Sequence, residues 1–280
     1  MVACLPVSDA EQSLGGPPRG VELAVLFAEG LPAEPTLLRA ALRAYDRRLA
    51  EAEVEIERSD EDGVVAVMRW PGAEVALLGA QAPIDPAELE RCLRHSHYGV
   101  ELRERARAHG AHYRVRARAP HGASLEGYLA CATAAAALAS VGGFVVVHAA
   151  ARTSLPAASM ARSGPHSLDA LERLALPLLA VGFGKYELEG ASAVWMRTHA
   201  ATLYGLPDLA YEAGSHEEAP RIAELFDAVL RHLWREAAAL EAGHTLELDG
   251  AAYALRELRA EEPTHAQAGD ALVLEALPAA

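Results

Sequence analysis

The fold class follows from residues 111–147, which read AHYRVRARAPHGASLEGYLACATAAAALASVGGFVVV. Polar and apolar residues alternate at the start, an alanine-rich run occupies the middle, and two glycines precede the final apolar residues. Alternation has the period of a strand, whereas the apolar positions of the middle run recur with the period of a helix. The stretch therefore predicts strand, helix and strand, a unit that is right-handed if its two strands are parallel.

The residues before this unit predict further strands and helices. The apolar run at residues 21–27 is typical of a central strand, and a helix follows Pro35. Asp85 and the proline after it begin a charged helix, which we expect to continue as far as Gly110. Three short strands with turns between them are predicted at residues 54–57, 64–69 and 74–78.

The residues after the unit predict two hairpins and a long helix. Residues 222–237 have the clearest helical periodicity of the chain. One hairpin turns at Glu189-Gly190, and another turns at Asp249-Gly250. A short helix is predicted at residues 168–176, and residues 271–274 predict a strand at the edge of a sheet.

Together these elements predict an α+β fold with a mixed, largely antiparallel sheet and helices packed on it. Residues 1–20 contain a Gly-Gly-Pro-Pro stretch typical of a flexible tail, so we expect one domain over residues 21–280. Strand–helix–strand order recurs along the chain. This recurrence allows two similar αβ halves, with lobes at residues 21–110 and 111–280.

The charge of the chain limits its partners. A formal net charge of -14 at pH 7 argues against general affinity for nucleic acid or anionic membranes, because both attract positive surfaces. No apolar run approaches the roughly 20 residues of a membrane-spanning helix, and the first residues lack the features of a secretory signal. The three cysteines have no metal-ligand spacing. We therefore predict a cytoplasmic protein without a cofactor.

A basic island interrupts this acidic chain. Residues 91–118 contain eight arginines and only two glutamates. Alternation places three of these arginines on one face of a strand: Arg114, Arg116 and Arg118. The same alternation forms an acidic strand face from Glu53, Glu55 and Glu57.

The two charged faces allow two interpretations. In the first, the strand arginines, together with Arg103 and Arg107, form a docking surface for an acidic partner. In the second, the basic and acidic faces lie on adjacent strands and form ion pairs, each contributing about 0.2–1 kcal/mol. We favour the second interpretation because exposed charge on a strand usually pairs or is solvated.

Histidines form a second group of candidates for a ligand pocket. They are His109, His112 and His148. A zinc site needs three or four converging ligands, and imidazole is the commonest of these. No cysteine or carboxylate is regularly spaced with these histidines, and the nearby arginines would repel a cation. We therefore predict no metal, and expect partly buried histidines with hydrogen bonds.

A third group of candidates follows the strand at residues 193–198. Arg197, His199 and Asp208 could form an acid–base cluster around an anionic ligand, because strand ends and the loops after them commonly carry binding groups. The alternative is an ordinary strand end with a turn at Gly205. We favour the ordinary strand end, and we expect a ligand pocket here if the protein has one.

Several short segments, in order, resemble a bacterial family of domains of unknown function, the 4261 family. Residues 82–85 (APID) are similar to its Pro-Ile-Pro segment, and residues 108–112 (AHGAH) to its His-x-Ala-His pattern. Residues 202–209 (TLYGLPDL) resemble its Gly-Leu/Lys-Pro-Glu motif, and residues 243–250 its closing strand and Asp-Gly turn. The resemblance implies an intracellular α+β protein, without an established activity or ligand.

The chain departs from the family pattern at two places. Asp208 replaces the usual glutamate, and Ala251-Ala252 stand where family members have Asp-Thr. These departures put in doubt any family function that those polar positions carry.

The sequence lacks phosphate-loop, nucleophile-elbow and zinc-protease motifs. We therefore predict a non-enzymatic protein-interaction module of the immunity, accessory or adaptor type, because an acidic surface suits a basic protein partner. The alternatives are a histidine-dependent hydrolase or metal-binding enzyme, and a structural subunit of a homo-oligomer.

Overall fold

The fold is α+β, as predicted, with two mostly antiparallel sheets. The computed structural model describes residues 20–278 except 62, 95, 97, 119–123, 162–165, 176–177, 188–192, 237–238, 249, 260–261 and 263–269. The predicted tail up to residue 19 and the predicted turn residues Glu189-Gly190 and Asp249 lie outside the described residues. No helix of the described ranges is both long and apolar enough to cross a membrane.

Sheet A has seven strands in the order β2-β3-β4-β5-β1-β6-β7, and each neighbouring pair is antiparallel. Its strands are β1 (Glu22–Phe27), β2 (Glu53–Ser59), β3 (Gly63–Trp70), β4 (Ala73–Ala80), β5 (Ala111–Ala117), β6 (Val145–His148) and β7 (Thr153–Pro156). The helices of this region are α1 (Pro35–Tyr45), α2 (Pro86–Leu93), α3 (Val100–Arg107) and α4 (Leu125–Ser140).

Helices cover both faces of sheet A, because β1 directs apolar side chains to each face. Leu23 and Val25 contribute to the core that contains residues of α1 and α4. Ala24 and Leu26 belong to a second core, which contains residues of α2 and α3. The continuous apolar sequence of β1 therefore predicted its central place correctly.

The unit at residues 111–147 has the predicted strands and helix, but its strands are not neighbours. β5 and β6 pair with opposite edges of β1, and both run antiparallel to it. They are therefore parallel to each other, and α4 connects them across β1.

The charged segment before β5 forms two helices where one was predicted. Both the backbone N–H and the hydroxyl of Ser96 donate to the carbonyl oxygen of Leu93, at 3.1 and 2.7 Å, at the end of α2. Gly99 then adopts an extended conformation before α3 begins. The Tyr98 hydroxyl lies 3.0 Å from Ser154 Oγ, which fixes this break against β7. The break therefore depends on a contact that is distant in sequence.

Sheet B has six strands in the order β11-β12-β13-β10-β9-β8, with β10 and β13 parallel and the other pairs antiparallel. Its strands are β8 (Phe183–Glu187), β9 (Val194–Thr198), β10 (Leu209–Ala213), β11 (Thr245–Leu248), β12 (Ala251–Glu257) and β13 (Leu272–Ala276). The remaining helices are α5 (Ser167–Ala175), α6 (Leu178–Val181) and α7 (Ala219–Glu236). The prediction that residues 271–274 form an edge strand was wrong, because β13 pairs on both sides.

The two sheets share apolar contacts around α7. Phe226 and Val229 of α7 lie in the core of sheet B, whereas Trp234 packs against the core of sheet A. Tyr204 contacts both cores, and its hydroxyl donates to the Ala180 carbonyl oxygen at 3.2 Å. The chain passes from one sheet to the other between β7 and β8. This change of sheet does not coincide with the suggested lobe boundary at residues 110–111, because β5, β6 and β7 belong to sheet A.

Candidate functional site

The basic face of β5 pairs with carboxylates of the protein itself. Arg114 Nη1 lies 2.6 Å from Glu22 Oε1 of β1 and 3.3 Å from Glu88 Oε1 of α2. Arg116 Nε forms an ion pair with the other oxygen of Glu22. The Glu22 side chain is only 11% exposed, so this carboxylate is held between two guanidinium groups at the sheet surface.

Arg118 continues this charge pairing towards β2. Its Nη1 lies 2.9 Å from Glu74 Oε1 of β4, and a 3.7 Å contact connects its Nη2 with Glu57 Oε1. Glu55 of β2 instead pairs with Arg69 of β3 at 2.8 Å. The predicted pairing of adjacent β2 and β5 was therefore wrong, because β3 and β4 lie between them. Internal ion pairs are nevertheless present, because acidic and basic side chains alternate between neighbouring strands.

The remaining two arginine candidates lie on α3. Arg107 pairs with Glu90 of α2 and with Glu104, at 2.6 Å in both cases. Arg103 is half-buried, and its Nε is buried without a hydrogen-bond partner among the described residues. Four of the five arginines proposed as a docking surface thus contact carboxylates of the same chain.

His109 and His112 hold the loop between β4 and α2. His109 Nε2 accepts a hydrogen bond from the Ile84 N–H at 2.9 Å, and its Nδ1 donates to the Ala106 carbonyl oxygen at 2.7 Å. His112 Nδ1 donates to the Ala82 carbonyl oxygen at 2.8 Å. Burial lowers the pKa of both imidazoles, which favours their neutral form. The expectation of buried, hydrogen-bonded histidines is confirmed for this pair.

His148 does not join them. Along β6, Val147 contributes to the core beneath α2 and α3, so the next side chain points to the opposite face of sheet A. There the His148 ring lies 5.8 Å from the Tyr128 ring, between centroids. Neither ring nitrogen has a hydrogen-bond partner in the described part of the chain, and burial lowers the pKa of His148 to about 4. Among the described residues, no group of three or more His, Cys, Asp or Glu could hold a metal ion.

The third group of candidates is brought together at the end of β9. Arg197, His199 and Asp208 are 2%, 3% and 4% exposed. Asp208 Oδ1 accepts hydrogen bonds from Thr198 Oγ1 at 2.9 Å and from the Ala201 N–H at 3.1 Å. Asp208 therefore has a structural role, because it fixes the connection from β9 to β10.

Tyr186 of β8 completes this arrangement. Its hydroxyl forms a hydrogen bond with His199 Nε2, and the two rings meet edge to face at 5.7 Å between centroids. Gly184 provides the space for this contact. A Cβ atom at Gly184 would come within 2.8 Å of the Tyr186 hydroxyl oxygen and 3.1 Å of His199 Nε2.

Arg152 reaches the same place from sheet A. It ends the turn between β6 and β7, and the neighbouring Ala151 packs closely against Gly182, just before β8. Arg152 lies near the Tyr186 hydroxyl, whose pKa burial raises and the Arg152 charge lowers. We call Arg152, Tyr186, Arg197 and His199 the sheet B cluster.

Backbone strain is located at the sheet B cluster. Among the described residues, the only non-glycine residues with positive φ are Arg152, at 51°, and Ala200, at 69°. One belongs to the cluster, and the other directly follows His199. A left-handed conformation costs a residue with a Cβ roughly 1–2 kcal/mol, and such strain persists where the surrounding structure imposes it.

Burial dominates the electrostatics of the cluster. It lowers the pKa of Arg197, although the Asp208 charge opposes this shift, and the Arg152 charge adds to it. Burial also raises the pKa of Asp208 to about 6, against the hydrogen bonds from Ala201 and Thr198. The site thus combines two guanidinium groups with a carboxyl group that is easily protonated.

The sequence indicated only part of this cluster. Arg197, His199 and Asp208 lie within 12 residues of one another, so the end of one strand suggested all three. Tyr186 could have been found from the hairpin, since it lies opposite Trp195 in the β8–β9 register and shares a face with Arg197. No sequence signal points to Arg152, because a contact between the two sheets brings it here.

Comparison with known proteins identifies no relative: no family model, curated protein or solved structure matches this chain. The resemblance to the 4261 family therefore stays a prediction.

Proposed function

We propose that the protein is a non-enzymatic protein-interaction module that binds a basic partner, in an immunity, accessory or adaptor role. The supporting observation is the internal pairing of the basic island. Arg114, Arg116 and Arg118 contact Glu22, Glu88 and Glu74. Because these arginines are paired within the chain, a partner meets a protein whose net charge is -14 at pH 7. Such a field increases the rate of association with positively charged proteins.

One end of sheet B offers a place to test this proposal. Exposed carboxylates surround the end of edge strand β8 and the start of α7: Glu187, Glu212, Glu217 and Glu224. His216 contacts Glu187, and Arg221 contacts Glu218 at 2.5 Å, so both of these side chains lie next to carboxylates. We call this surface the acidic end of sheet B.

The observations give less support to an enzyme. His109 and His112 lie 6.3 Å apart between ring centroids, but both use ring nitrogens to hold backbone groups, and His148 lies on the opposite face of sheet A. Burial raises the pKa of Cys92 and Cys131 to about 12, so neither thiol forms the reactive thiolate at neutral pH.

The homo-oligomer proposal depended on an uncovered apolar face of the long helix. Ile222, Phe226, Val229 and Leu233 of α7 are instead buried in the core of sheet B. That helix therefore gives no support to a self-association surface.

The proposal can be tested by affinity capture from the native cell lysate at low and at moderate salt. A Glu212→Arg, Glu217→Arg variant should lose a stoichiometric partner that the wild-type protein retains at low salt. A Glu51→Arg, Glu61→Arg variant is the matched control, because it changes the net charge equally at exposed positions of sheet A. Binding of the purified partner should weaken with salt, since the screening length is about 10 Å at 0.1 M. Equal capture by both variants, or no captured protein with any of them, would contradict the proposal.

A further inference from the structure

His109 and His112 hold the same segment of backbone, but their ring nitrogens take opposite roles in the hydrogen bonds. The segment, residues 81–85, connects β4 with α2. The Ile84 N–H donates to His109 Nε2 at 2.9 Å, so this nitrogen must carry a lone pair. His112 Nδ1 lies 2.8 Å from the Ala82 carbonyl oxygen, which only accepts, so this nitrogen must carry a proton. The first contact therefore requires a neutral ring, and the second does not.

The second ring nitrogen of His109 fixes its tautomer. Nδ1 donates to the Ala106 carbonyl oxygen at 2.7 Å, so the neutral ring carries its single proton there. A second proton enters at Nε2, where it would point at the Ile84 N–H. Two donors that face each other form no hydrogen bond, so protonation of His109 breaks its contact with Ile84. A protonated His112 ring keeps its Nδ1–H and therefore its contact with Ala82.

The contact between His109 and Ile84 anchors the start of α2 to sheet A. Ile84 is 2% exposed and belongs to the core that α2 and α3 share with β1 and β6. The next residue, Asp85, caps α2 by accepting a hydrogen bond from the Glu88 N–H at 2.8 Å. His109 is itself only 4% exposed, so water reaches Nε2 only after Ile84 has moved away. Proton binding and release of this segment are therefore coupled.

The surroundings of His109 favour its neutral form. Burial lowers the pKa of His109 below its ordinary value of 6.5, and the hydrogen bond with Ala106 opposes this shift. The free N–H groups at the start of α2 carry partial positive charge, which also disfavours an imidazolium ring there. Asp85 caps α2 and Glu88 contacts Arg114, so both carboxylates at the start of α2 have partners within the chain. The charged and titratable side chains nearest to His109 along the elements that contact it are Asp85 and Glu88 at the start of α2, Arg103, Arg105 and Arg107 of α3, His112 and Arg114 of β5, and Glu29 after β1.

We propose that His109 is a proton-sensitive latch on the start of α2. Protonation at Nε2 removes the hydrogen bond from the Ile84 N–H and releases Ile84 from the core beneath α2, whereas His112 continues to hold Ala82. Neutral solution keeps the segment closed, and acid opens it. The latch does not depend on the proposed protein partner.

Amide hydrogen exchange of the full chain between pH 7 and pH 5 tests the latch. Burial lowers the pKa of His109 in the closed form, and opening returns it towards 6.5, so the open form gains population as the pH falls. The protection of the Ile84 amide, corrected for the intrinsic exchange rate, should fall by up to about tenfold per pH unit below 6.5. The Phe144 amide, which donates to the Leu26 carbonyl oxygen at 3.0 Å, is the reference for opening of the whole sheet. Equal pH dependence of both amides, or none at Ile84, would overturn the proposal.

His109→Gln is the decisive variant, because the side-chain carbonyl oxygen of glutamine accepts hydrogen bonds and does not titrate. In this variant the Ile84 amide should be as well protected at pH 5 as at pH 7, relative to the Phe144 amide. The exposed His232 of α7 provides the matched control: His232→Gln should open in acid like the wild-type protein. Acid opening that persists in His109→Gln would refute the latch.

His112→Gln separates the two histidines, and it decides the question if His109→Gln is already open at pH 7. The amide group of glutamine can still donate to the Ala82 carbonyl oxygen, and His109 remains in place. Acid opening at Ile84 should therefore match that of the wild-type protein. Loss of the acid response in His112→Gln would assign proton sensing to His112 and contradict the proposal.

Discussion

Sheet A and sheet B both bring arginine side chains together, but they differ in what surrounds those side chains. On sheet A, strands of opposite charge alternate, and Glu22 lies between Arg114 and Arg116. In the sheet B cluster, Arg152 and Arg197 meet around Tyr186 and His199, and burial lowers the pKa of Arg197.

On sheet A, the paired charges organise the fold. Ion pairs between neighbouring strands fix strand order and register, even though each contributes little free energy. In the sheet B cluster, burial and the Arg152 charge both disfavour the charged form of Arg197. We therefore expect the removal of a charge to destabilise the protein more on sheet A than in the sheet B cluster.

The largest expected effect is on sheet A. Glu22→Gln leaves Arg114 and Arg116 without their shared, largely buried carboxylate, so the free energy of unfolding should fall by about 3 kcal/mol. Urea denaturation measures this change. Glu55→Gln is the control, because Glu55 is 62% exposed in its pair with Arg69, and it should cost less than about 1 kcal/mol. Similar losses for both variants would mean that the Glu22 pairs are ordinary surface pairs.

A second prediction concerns Asp208 and pH. Its folded pKa is raised from 3.8 to about 6, so the folded state binds more protons than the unfolded state between these values. Stability relative to Asp208→Asn should therefore fall by about 2 kcal/mol as the pH rises from 4 to 6. Denaturation of both proteins across this range measures the difference. A flat difference would show that Asp208 does not titrate in this window.

A third prediction concerns His148, a buried polar side chain that carries no charge at pH 7. Because its buried ring nitrogens have no partner among the described residues, His148→Leu should raise the free energy of unfolding at pH 7 by about 1–2 kcal/mol. The folded pKa is lowered from 6.5 to about 4, so wild-type stability should fall relative to the variant as the pH falls through this range. The control is His112→Leu, which removes the hydrogen bond to Ala82 and should destabilise the protein.

The smallest effect is expected for Arg197→Met. An apolar side chain avoids the cost of a buried guanidinium group, so the free energy of unfolding should stay within about 1 kcal/mol of wild type or increase. Arg116→Met should decrease it, because Glu22 then loses one of its two arginine partners among the described residues. A larger loss for Arg197→Met than for Arg116→Met would reverse the contrast between the two sheets.

Local patterns predicted most elements but not their neighbours. The apolar run of β1 indicated a central strand, and the periodicity of residues 222–237 indicated α7. Alternation on β2 and β5 identified their charged faces correctly, yet it could not reveal that β3 and β4 lie between them. The same limit explains β13, whose short apolar sequence does not show that it pairs on both sides.

The residues of the candidate sites were also predicted only in part. His109, His112 and His148 were grouped because they are near in sequence, but the side chain of His148 lies across sheet A from that of His112. Arg197 and His199 were correctly placed on one strand face, since alternation alone determines this. Arg152 was missed because it lies 45 residues before Arg197 and belongs to the other sheet.

The sequence by itself determined the α+β class, the acidic charge of the protein and the face of each strand on which a charged residue lies. These properties depend on composition and on periods of two and 3.6 residues, which are local. Only the tertiary structure decided which carboxylate meets each arginine, and that Arg152 lies near Tyr186, which contacts His199. Such partners depend on strand order and on packing between the sheets, which arise from contacts between residues far apart in the chain.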